Sequence, residues 1–195
     1  QDDFTNSQFL LFENICSKIL NALPYEFDRH ILNTSGILRF PEKQYEMVRL
    51  GLGLYGISPL HDEKSIFPIA KLFSKISQIK QIKKGDSVGY GGNFIAEKNM
   101  VIAIIPLGYA DGYSRLLSNG IGKVNVNGKL CNTVGNICMD MFMVDVTDVS
   151  CHEGDTVEIF GDNPSISEMA EWQKTIPYEV LSRLSHRIYR KFIEE

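Results

Sequence analysis

The sequence lacks any long hydrophobic run and any basic leader segment. Its longest apolar stretch, "MVIAIIPLG", is far shorter than the roughly 20 apolar residues that a membrane-spanning helix needs. The N-terminal stretch "QDDFTNSQFLLF" is acidic where a secretory signal peptide would be positively charged. These absences argue against a membrane protein and against a secreted one. The chain also does not begin with methionine, from which we expect a processed or truncated polypeptide.

Cysteine and histidine are scarce, and their spacing is not that of metal ligands. The four cysteines form no CxxC pair and the four histidines form no HExxH pair, so we expect no metal site. Reduced thiols indicate a cytoplasmic protein. The residues concerned are Cys16, Cys131, Cys138 and Cys151, and His30, His61, His152 and His186.

Basic residues are outnumbered by acidic ones, 20 to 24, which gives a formal charge of −4. No cluster of lysine and arginine interleaved with aromatics occurs, so we expect no nucleic-acid partner. The apolar content of 44% and the charged content of 23% are ordinary for a soluble globular protein that buries a core.

The first part of the chain, residues 1–65, alternates helix-like and strand-like segments. Apolar residues recur at helical spacing in "NSQFLLFENICSKILNAL". The segments "RHILNTSG" and "MVRLGLGLYGISP" read as buried strands, with a short helix at "PEKQYE" between them. Near-continuous apolar strands separated by helices predict a parallel sheet, but two such units are too few to form a closed layer. On the amphipathic helix we expect one shared apolar face that contains Phe9, Leu10, Phe12, Ile15, Ile19 and Leu20.

From residue 66 to residue 195 the pattern changes to short strands separated by turns. Alternating apolar and polar residues, with Asn127-Gly128 as a strong hairpin signal, predict an antiparallel sandwich or barrel. The chain then returns to helix, with a capping box at Ser165 and Glu168 and with Pro177 near the start of a second helix. The predicted fold class is therefore α/β followed by all-β.

Three glycine-rich stretches, taken singly, have structural explanations as well as functional ones. The glycines of "VRLGLGLYG" could let backbone N–H groups approach a phosphate, or could admit a neighbouring helix. Arg49 in this stretch is expected to point inward, where arginine is rare unless it is paired. Tyr90 in "VGYGG" and Tyr109 in "GYADGY" could equally be structural, since turns need glycine and strands favour tyrosine.

Six stretches together, in this order, resemble the bacterial alanine racemase family, whose enzymes depend on pyridoxal phosphate (PLP). They are "HILNTSGILRFP", "VRLGLGLYGISP", "GDSVGYGGNF", "IPLGYADGYSR", "VGNICMDMFMVD" and "PYEVLSRLSHRI". The resemblance runs over essentially the whole chain but covers only the later part of the family's enzymes. It implies the last β/α units of a PLP-binding (β/α)₈ barrel at residues 1–65 and a C-terminal antiparallel β-domain at residues 66–195.

The resemblance implies a set of cofactor-binding residues. Arg49 matches the arginine that hydrogen-bonds the pyridine nitrogen of PLP. Gly51 and Leu52 match backbone N–H donors to its phosphate. Thr34 stands where the family usually has a serine hydroxyl on that phosphate, and Tyr178 matches a phenol at the same group.

It also implies a catalytic residue and a set of substrate-binding residues. Tyr90 matches one of the two catalytic bases, the other being the Schiff-base lysine. Tyr109 matches a tyrosine at the substrate entrance. Met139 matches the residue whose backbone N–H meets the substrate carboxylate, with Asp140 beside it. Two bases suit a racemase because a proton must leave one face of the substrate and return to the other.

Two departures from the family pattern bear on activity. Asn136 replaces the usual arginine before the Met-Asp pair, so the local ion pairing should differ. The family's Schiff-base lysine lies in a "KANAYGHG"-like segment, and this sequence has none. We therefore expect the 195-residue chain by itself to be inactive.

The resemblance implies that a head-to-tail homodimer interconverts L-alanine and D-alanine for peptidoglycan, with the β-domain of one subunit serving the barrel of the other. Some family members are fused behind a muropeptide ligase, which leaves such an upstream fusion open. Two alternatives remain at this stage. One is a non-catalytic dimerisation or binding module, and the other is a racemase or a decarboxylase of the same fold that acts on another amino acid.

Overall fold

The computed structural model describes residues 2–60 and 66–193, which belong to two units, Gln1–Phe67 and Pro68–Glu195. Residues 61–65, at whose end the predicted domain boundary lies, are outside the described residues. Within the described part of the chain, no helix combines the length and the apolar character needed to cross a membrane.

The first unit begins with the predicted amphipathic helix, α1 (Asp2–Ala22), which starts with two acidic residues as the helix dipole favours. Its buried residues are Phe9 and Cys16, seven positions apart and therefore on one side of the helix. The predicted apolar face was wrong in part, because packing by Phe40 and Tyr45 covers only the line of Phe9 and Phe12. The exposed members of the predicted face are Leu10, Ile15, Ile19 and Leu20.

The two strands predicted in this unit are reduced to one parallel bridge, between Asn33 and Arg49. The first segment turns into helix α2 (Thr34–Arg39), because the Asn33 side chain caps that helix by accepting from the Gly36 N–H at 3.0 Å. The second turns into a 3₁₀ helix (Leu52–Tyr55) directly after Gly51. The predicted helix at "PEKQYE" is a single 3₁₀ turn, Pro41–Lys43. Both segments therefore leave the strand conformation after the bridge, the first with a side-chain cap and the second at a glycine without one.

The second unit contains a seven-stranded sheet in which every pairing is antiparallel, as the sequence predicted. Asn127 and Gly128 both have positive φ and form the two-residue hairpin between two of its strands. The strands, in chain order, are β1 (Leu72–Lys75), β2 (Gln78–Ile82), a separate two-stranded pair β3 (Ser87–Val88) and β4 (Phe94–Ile95), then β5 (Met100–Ile105), β6 (Lys123–Val126), β7 (Lys129–Val134), β8 (Phe142–Asp145) and β9 (Thr156–Phe160).

The sheet order is β1-β9-β6-β7-β8-β5-β2, so strands β1 and β2 stand at its two ends. Only Ile76 and Ser77 separate these strands along the chain. Ile76 N–H donates to Asp155 beside β9, and Ser77 N–H donates to Ile104 of β5, each at 2.9 Å. The two ends therefore meet at this link, which gives the sheet its barrel-like closure. Its inward residues, fully buried, include Val124, Val126, Phe142, Val144, Val157 and Ile159.

Two short helices follow the sheet, α3 (Ile166–Trp172) and α4 (Pro177–Ser182). The predicted capping box is present, because Ser165 Oγ accepts from the Glu168 N–H at 3.2 Å and the Glu168 carboxylate accepts from the Ser165 N–H at 2.8 Å. Pro177 is the first residue of α4, where its missing N–H costs no hydrogen bond.

Candidate functional site

Three of the predicted cofactor residues lie together in the first unit, around the hydroxyl of Thr34. This buried oxygen accepts from the Gly51 N–H at 3.1 Å and from the Gly53 N–H at 3.3 Å. Because the oxygen accepts twice, its own hydrogen is free to donate. The Leu52 N–H has no acceptor among residues 2–60 and 66–193. The arrangement thus leaves two hydrogen-bond donors for a ligand, the Thr34 hydroxyl and the Leu52 N–H, next to glycine backbone.

Arg49 lies next to this group, paired through its backbone with Asn33, the residue before Thr34. One guanidinium nitrogen donates to the Ile31 carbonyl at 2.9 Å. The expectation of an inward, buried arginine was wrong for this chain, in which Arg49 is exposed. It lines a cavity of about 430 Å³ together with Ile31, Asn33 and residues of α1. The remaining guanidinium N–H groups thus face open space, where they can donate to a ligand.

Tyr90 is highly exposed, with 80% of its surface accessible. It follows Gly89, whose φ of 79° turns the chain away from β3 and out of the core. A cleft of about 380 Å³ lies beside it within the second unit. The cleft is lined by Lys80, Ile82, Ser87, Val88, Gly89, Tyr90, Ile102, Ile104, Cys138, Met141 and Met143. A phenol in this position is available to a molecule outside its own core.

The turn that carries Tyr109 is bound directly to the loop that carries Met139. The Tyr109 N–H donates to the Cys138 carbonyl at 3.1 Å, and the Ala110 N–H donates to the Met139 carbonyl at 3.0 Å. A Cβ on Gly108 would lie 2.2 Å from the Met139 oxygen, so only glycine permits this approach. Cys138 also lines the cleft beside Tyr90, which places all three predicted residues on one side of the unit.

Sequence reasoning missed Arg187 and gave Asp111 no role. One guanidinium nitrogen of Arg187 lies 2.8 Å from Asp140 Oδ1 and 3.1 Å from Asp111 Oδ1. The hydrogen bond with Asp140, followed by the charge of Asp111, raises the pKa of Arg187 above its ordinary value. The only sequence signal was an acidic residue inside the "GYADGY" turn, since the arginine lies far along the chain.

The structure also places Asn136 and Tyr178, the two other positions that the sequence analysis named. Asn136, which departs from the family pattern, accepts through its Oδ1 from the Asn119 side chain at 3.2 Å, so an amide pair stands where an arginine was usual. Tyr178 lies in α4 of the second unit and is exposed. Among the described residues, no group of three or more histidine, cysteine, aspartate or glutamate side chains could hold a metal ion.

Comparison with protein families accounts for both units. Residues 69–192 match the family described as "Alanine racemase, C-terminal domain". Residues 1–59 match "Alanine racemase, N-terminal domain". Together these matches cover most of the chain.

Individual relatives give the same result. The chain is 37% identical over 198 residues to an alanine racemase from Thermodesulfovibrio yellowstonii, covering 99% of this chain and 53% of the relative. Among solved structures, the alanine racemase from Bartonella henselae with covalently bound pyridoxal phosphate is similar, with a TM-score of 0.86, 33% identity, and coverage of 97% of this chain and 52% of the other. The Streptomyces coelicolor alanine racemase has a TM-score of 0.90 at 28% identity, covering 98% and 52%. The chain spans about half the length of the proteins it matches.

Proposed function

Because the chain belongs to the alanine racemase family, we propose that its protein is a PLP-dependent isomerase that interconverts L-alanine and D-alanine in the cytoplasm and supplies D-alanine for peptidoglycan. The observation that carries this proposal is the exposed Tyr90 phenol, which stands beside the paired loops of Tyr109 and Met139. The four cysteines, all free thiols, agree with a reducing compartment.

Residues 1–65 would hold the cofactor. The donor set fits a phosphate, because the Thr34 hydroxyl is held by the Gly51 and Gly53 N–H groups directly beside the Leu52 N–H, on backbone that glycine leaves open. Arg49 would donate to the pyridine nitrogen through the guanidinium N–H groups that Ile31 does not occupy. Tyr178 would add a phenol at the phosphate. When bound, PLP supplies the electron sink that makes the α-hydrogen of an amino acid acidic.

Residues 66–195 would supply the proton chemistry and the substrate contacts. The Tyr90 phenolic oxygen would take a proton from one face of the substrate carbon or return it, which is general acid–base catalysis by a positioned group. The Met139 N–H and the neighbouring Asp140 would lie at the substrate carboxylate. The Tyr109 ring would narrow the entrance to the site.

We further propose that these two groups of residues act on different copies in a head-to-tail homodimer. Tyr90 lies 80% exposed at a cleft of its own unit, so it can project into a neighbouring molecule. Tyr90, Tyr109 and Met139 would thus serve the partner's cofactor, while Thr34, Arg49, Gly51, Leu52 and Tyr178 would serve the chain's own. An upstream muropeptide ligase is compatible with this arrangement.

The test is a comparison of Tyr90→Phe with the wild-type intact protein, loaded with PLP. We expect Tyr90→Phe to lower kcat for racemisation by about 10²–10⁴-fold, the usual contribution of a general acid or base. Exchange of the α-hydrogen with deuterated solvent should persist for one alanine enantiomer and be lost for the other, because only one of two bases is removed. Tyr189→Phe, which alters another exposed phenol of the same unit, is the matched control and should leave kcat unchanged.

Three outcomes would contradict the proposal. Wild-type protein that converts serine or lysine but not alanine would place it with other racemases of this fold. Wild-type protein that binds a second copy but converts no amino acid would make it an assembly module. Equal loss of exchange for both enantiomers in Tyr90→Phe would remove the specific role of Tyr90.

A further inference from the structure

Asp111 is a nearly buried carboxylate at the junction of three chain segments. Its Oδ2 accepts from the Gly108 N–H at 2.9 Å, within its own turn. Its backbone carbonyl accepts from the Ser185 N–H at 3.1 Å, in the segment after α4. Its side chain is only 9% exposed, so an unpaired charge at this point would be costly.

Arg187 is the cation that pairs with this carboxylate, and it reaches one step further. The same nitrogen that lies 3.1 Å from Asp111 lies 2.8 Å from Asp140, in the loop of Met139. The pair with Asp140 is exposed on both sides, and such a pair contributes little by itself. The contact with Asp140 is the shorter, whereas the pair with Asp111 is less screened by water because its acid is nearly buried. Arg187 therefore connects the turn that contains Asp111 to the loop that contains Asp140.

The linked loops are those whose backbones are joined at Tyr109–Cys138 and Ala110–Met139. These two hydrogen bonds join the loops through their backbones. The Arg187 bridge joins them a second way, through the side chains of Asp111 and Asp140. Asn136 carries no charge and its amide is engaged by Asn119, so it does not duplicate this function.

We propose that Arg187 is a positioning residue, which fixes the turn of Tyr109 against the loop of Met139 so that the entrance and the groups at the substrate carboxylate keep their relative placement. The role of these loops at the substrate rests on the proposed function, whereas the mechanical link between them does not. Arg187 acts through Asp111 and Asp140 and does not itself contact the reacting atoms.

The first measurement is hydrogen exchange of backbone amides in the intact protein, which needs no activity. In Arg187→Met, we expect the Tyr109, Ala110 and Ser185 amides to exchange about tenfold faster, since coupling within a linked network is of this order. The Thr133 amide, which donates to Gly122 elsewhere in the unit, should be unchanged. Arg187→Lys keeps the charge and should restore most of the protection.

The second measurement is steady-state kinetics with alanine. Arg187→Met should raise KM by about tenfold to 100-fold, with a smaller effect on kcat, because the carboxylate contacts lose their mutual alignment. The matched control is Arg183→Met. Arg183 pairs with Glu179 at 2.5 Å and is 56% exposed, against 55% for Arg187, so the control removes an equally exposed arginine pair from the same C-terminal segment.

The outcomes separate the two proposals. If the Tyr109, Ala110 and Ser185 amides of Arg187→Met exchange within twofold of their wild-type rates, the positioning role is overturned. It is also overturned if the Thr133 amide accelerates equally, because that would show a general loosening of the unit. If Arg187→Met does not fold, Asp140→Asn removes the charge at one end of the bridge, and unchanged exchange of the Tyr109 and Ala110 amides in that variant would likewise overturn the positioning role. Wild-type protein without racemase activity would contradict the proposed function and leave the exchange result standing.

Discussion

At the scale of single residues, the first unit contains an ion pair between Arg29 and Glu46 with three hydrogen bonds. The Glu46 carboxylate accepts from the Arg29 backbone N–H at 2.9 Å, from its Nε at 2.8 Å and from its Nη2 at 2.5 Å. These hydrogen bonds lower the pKa of Glu46 to about 2, and those from the Arg29 side chain have a larger effect than the one from its backbone. Arg29 lies just before Asn33, and Glu46 lies just before Arg49, which bridges Asn33 through its backbone. The ion pair therefore holds together the two segments that carry the predicted phosphate donors.

This pair predicts an acid-sensitive contribution to stability. A glutamate whose folded-state pKa is depressed stabilises the fold fully above its unfolded pKa, near 4.5, and loses that effect as pH falls toward about 2. In a double-mutant cycle of Arg29→Met and Glu46→Gln, we expect a favourable coupling at pH 6 that disappears near pH 2. Thermal unfolding of the four proteins at both pH values measures it, and a coupling independent of pH would contradict the assignment.

Tyr90 and Arg49 differ in how well their exposure can be predicted from the local sequence. The exposure of Tyr90 follows from its neighbours, because glycine before and after it allows a backbone that turns out of the core. The exposure of Arg49 could not be read in the same way. An arginine between apolar residues suggests burial, but its actual surroundings depend on which segments cover it, and those are distant in sequence.

At the scale of elements, Gly108 decides how closely two loops approach. Its φ of −143° is open to any residue, so its conformation does not require glycine. The requirement is spatial, since a Cβ there would lie 2.2 Å from the Met139 oxygen and 2.4 Å from the Cys138 oxygen. Both are backbone atoms that cannot rotate away. The close approach of these loops thus depends on the absence of one carbon atom.

Gly108→Ala should therefore break both backbone hydrogen bonds between the loops and destabilise the second unit by about 3 kcal/mol, the upper part of the range for overpacking. Gly120→Ala is the control, because a Cβ there meets nothing within 4 Å and only its φ of 85° is unfavourable. We expect about 1–2 kcal/mol for the control from the left-handed backbone alone. Denaturant unfolding compares the two, and an equal loss in both variants would argue against the steric explanation.

Elements whose cause is local were predicted well. The Asn127-Gly128 hairpin and the Ser165–Glu168 capping box each depend on residues within four positions of one another, and both are present. The parallel strands of the first unit were predicted too long. Their extension depends on partners far along the chain, whereas the Asn33 cap and the turn at Gly51 act within a few residues.

At the scale of the whole molecule, the closure of the sheet could not be predicted from the local sequence pattern. The alternation in "KLFSKISQIKQ" predicted strands but not that β1 would pair with β9, more than 80 residues later, while β2 pairs with β5. The same holds for Arg187, which meets Asp111 across 76 positions. Pairings of this kind arise from tertiary packing between segments that are distant in sequence, so the sequence analysis predicted neither of them.

The same scale governs whether these 195 residues can act alone. The family resemblance implies that the cofactor lysine belongs to a "KANAYGHG"-like segment, and no such segment occurs in the sequence. Lys43 is paired with Glu13 at 2.9 Å, Lys71 is paired with Asp162, and Lys80 belongs to strand β2. Lys43, the one of these in the first unit, is thus held by an acidic residue of α1.

We therefore expect the 195-residue polypeptide, mixed with PLP and L-alanine, to form no D-alanine above the rate of free PLP. An intact alanine racemase assayed beside it is the positive control, and oxidation of D-alanine by a coupled D-amino-acid oxidase is the readout. Circular dichroism on the same sample shows whether the polypeptide is folded, which separates a missing catalytic group from a missing fold. Turnover well above free PLP by the folded polypeptide would mean that one of its own lysines can carry the cofactor. Lys80, which lines the cleft beside Tyr90, would then be the first residue to replace by arginine.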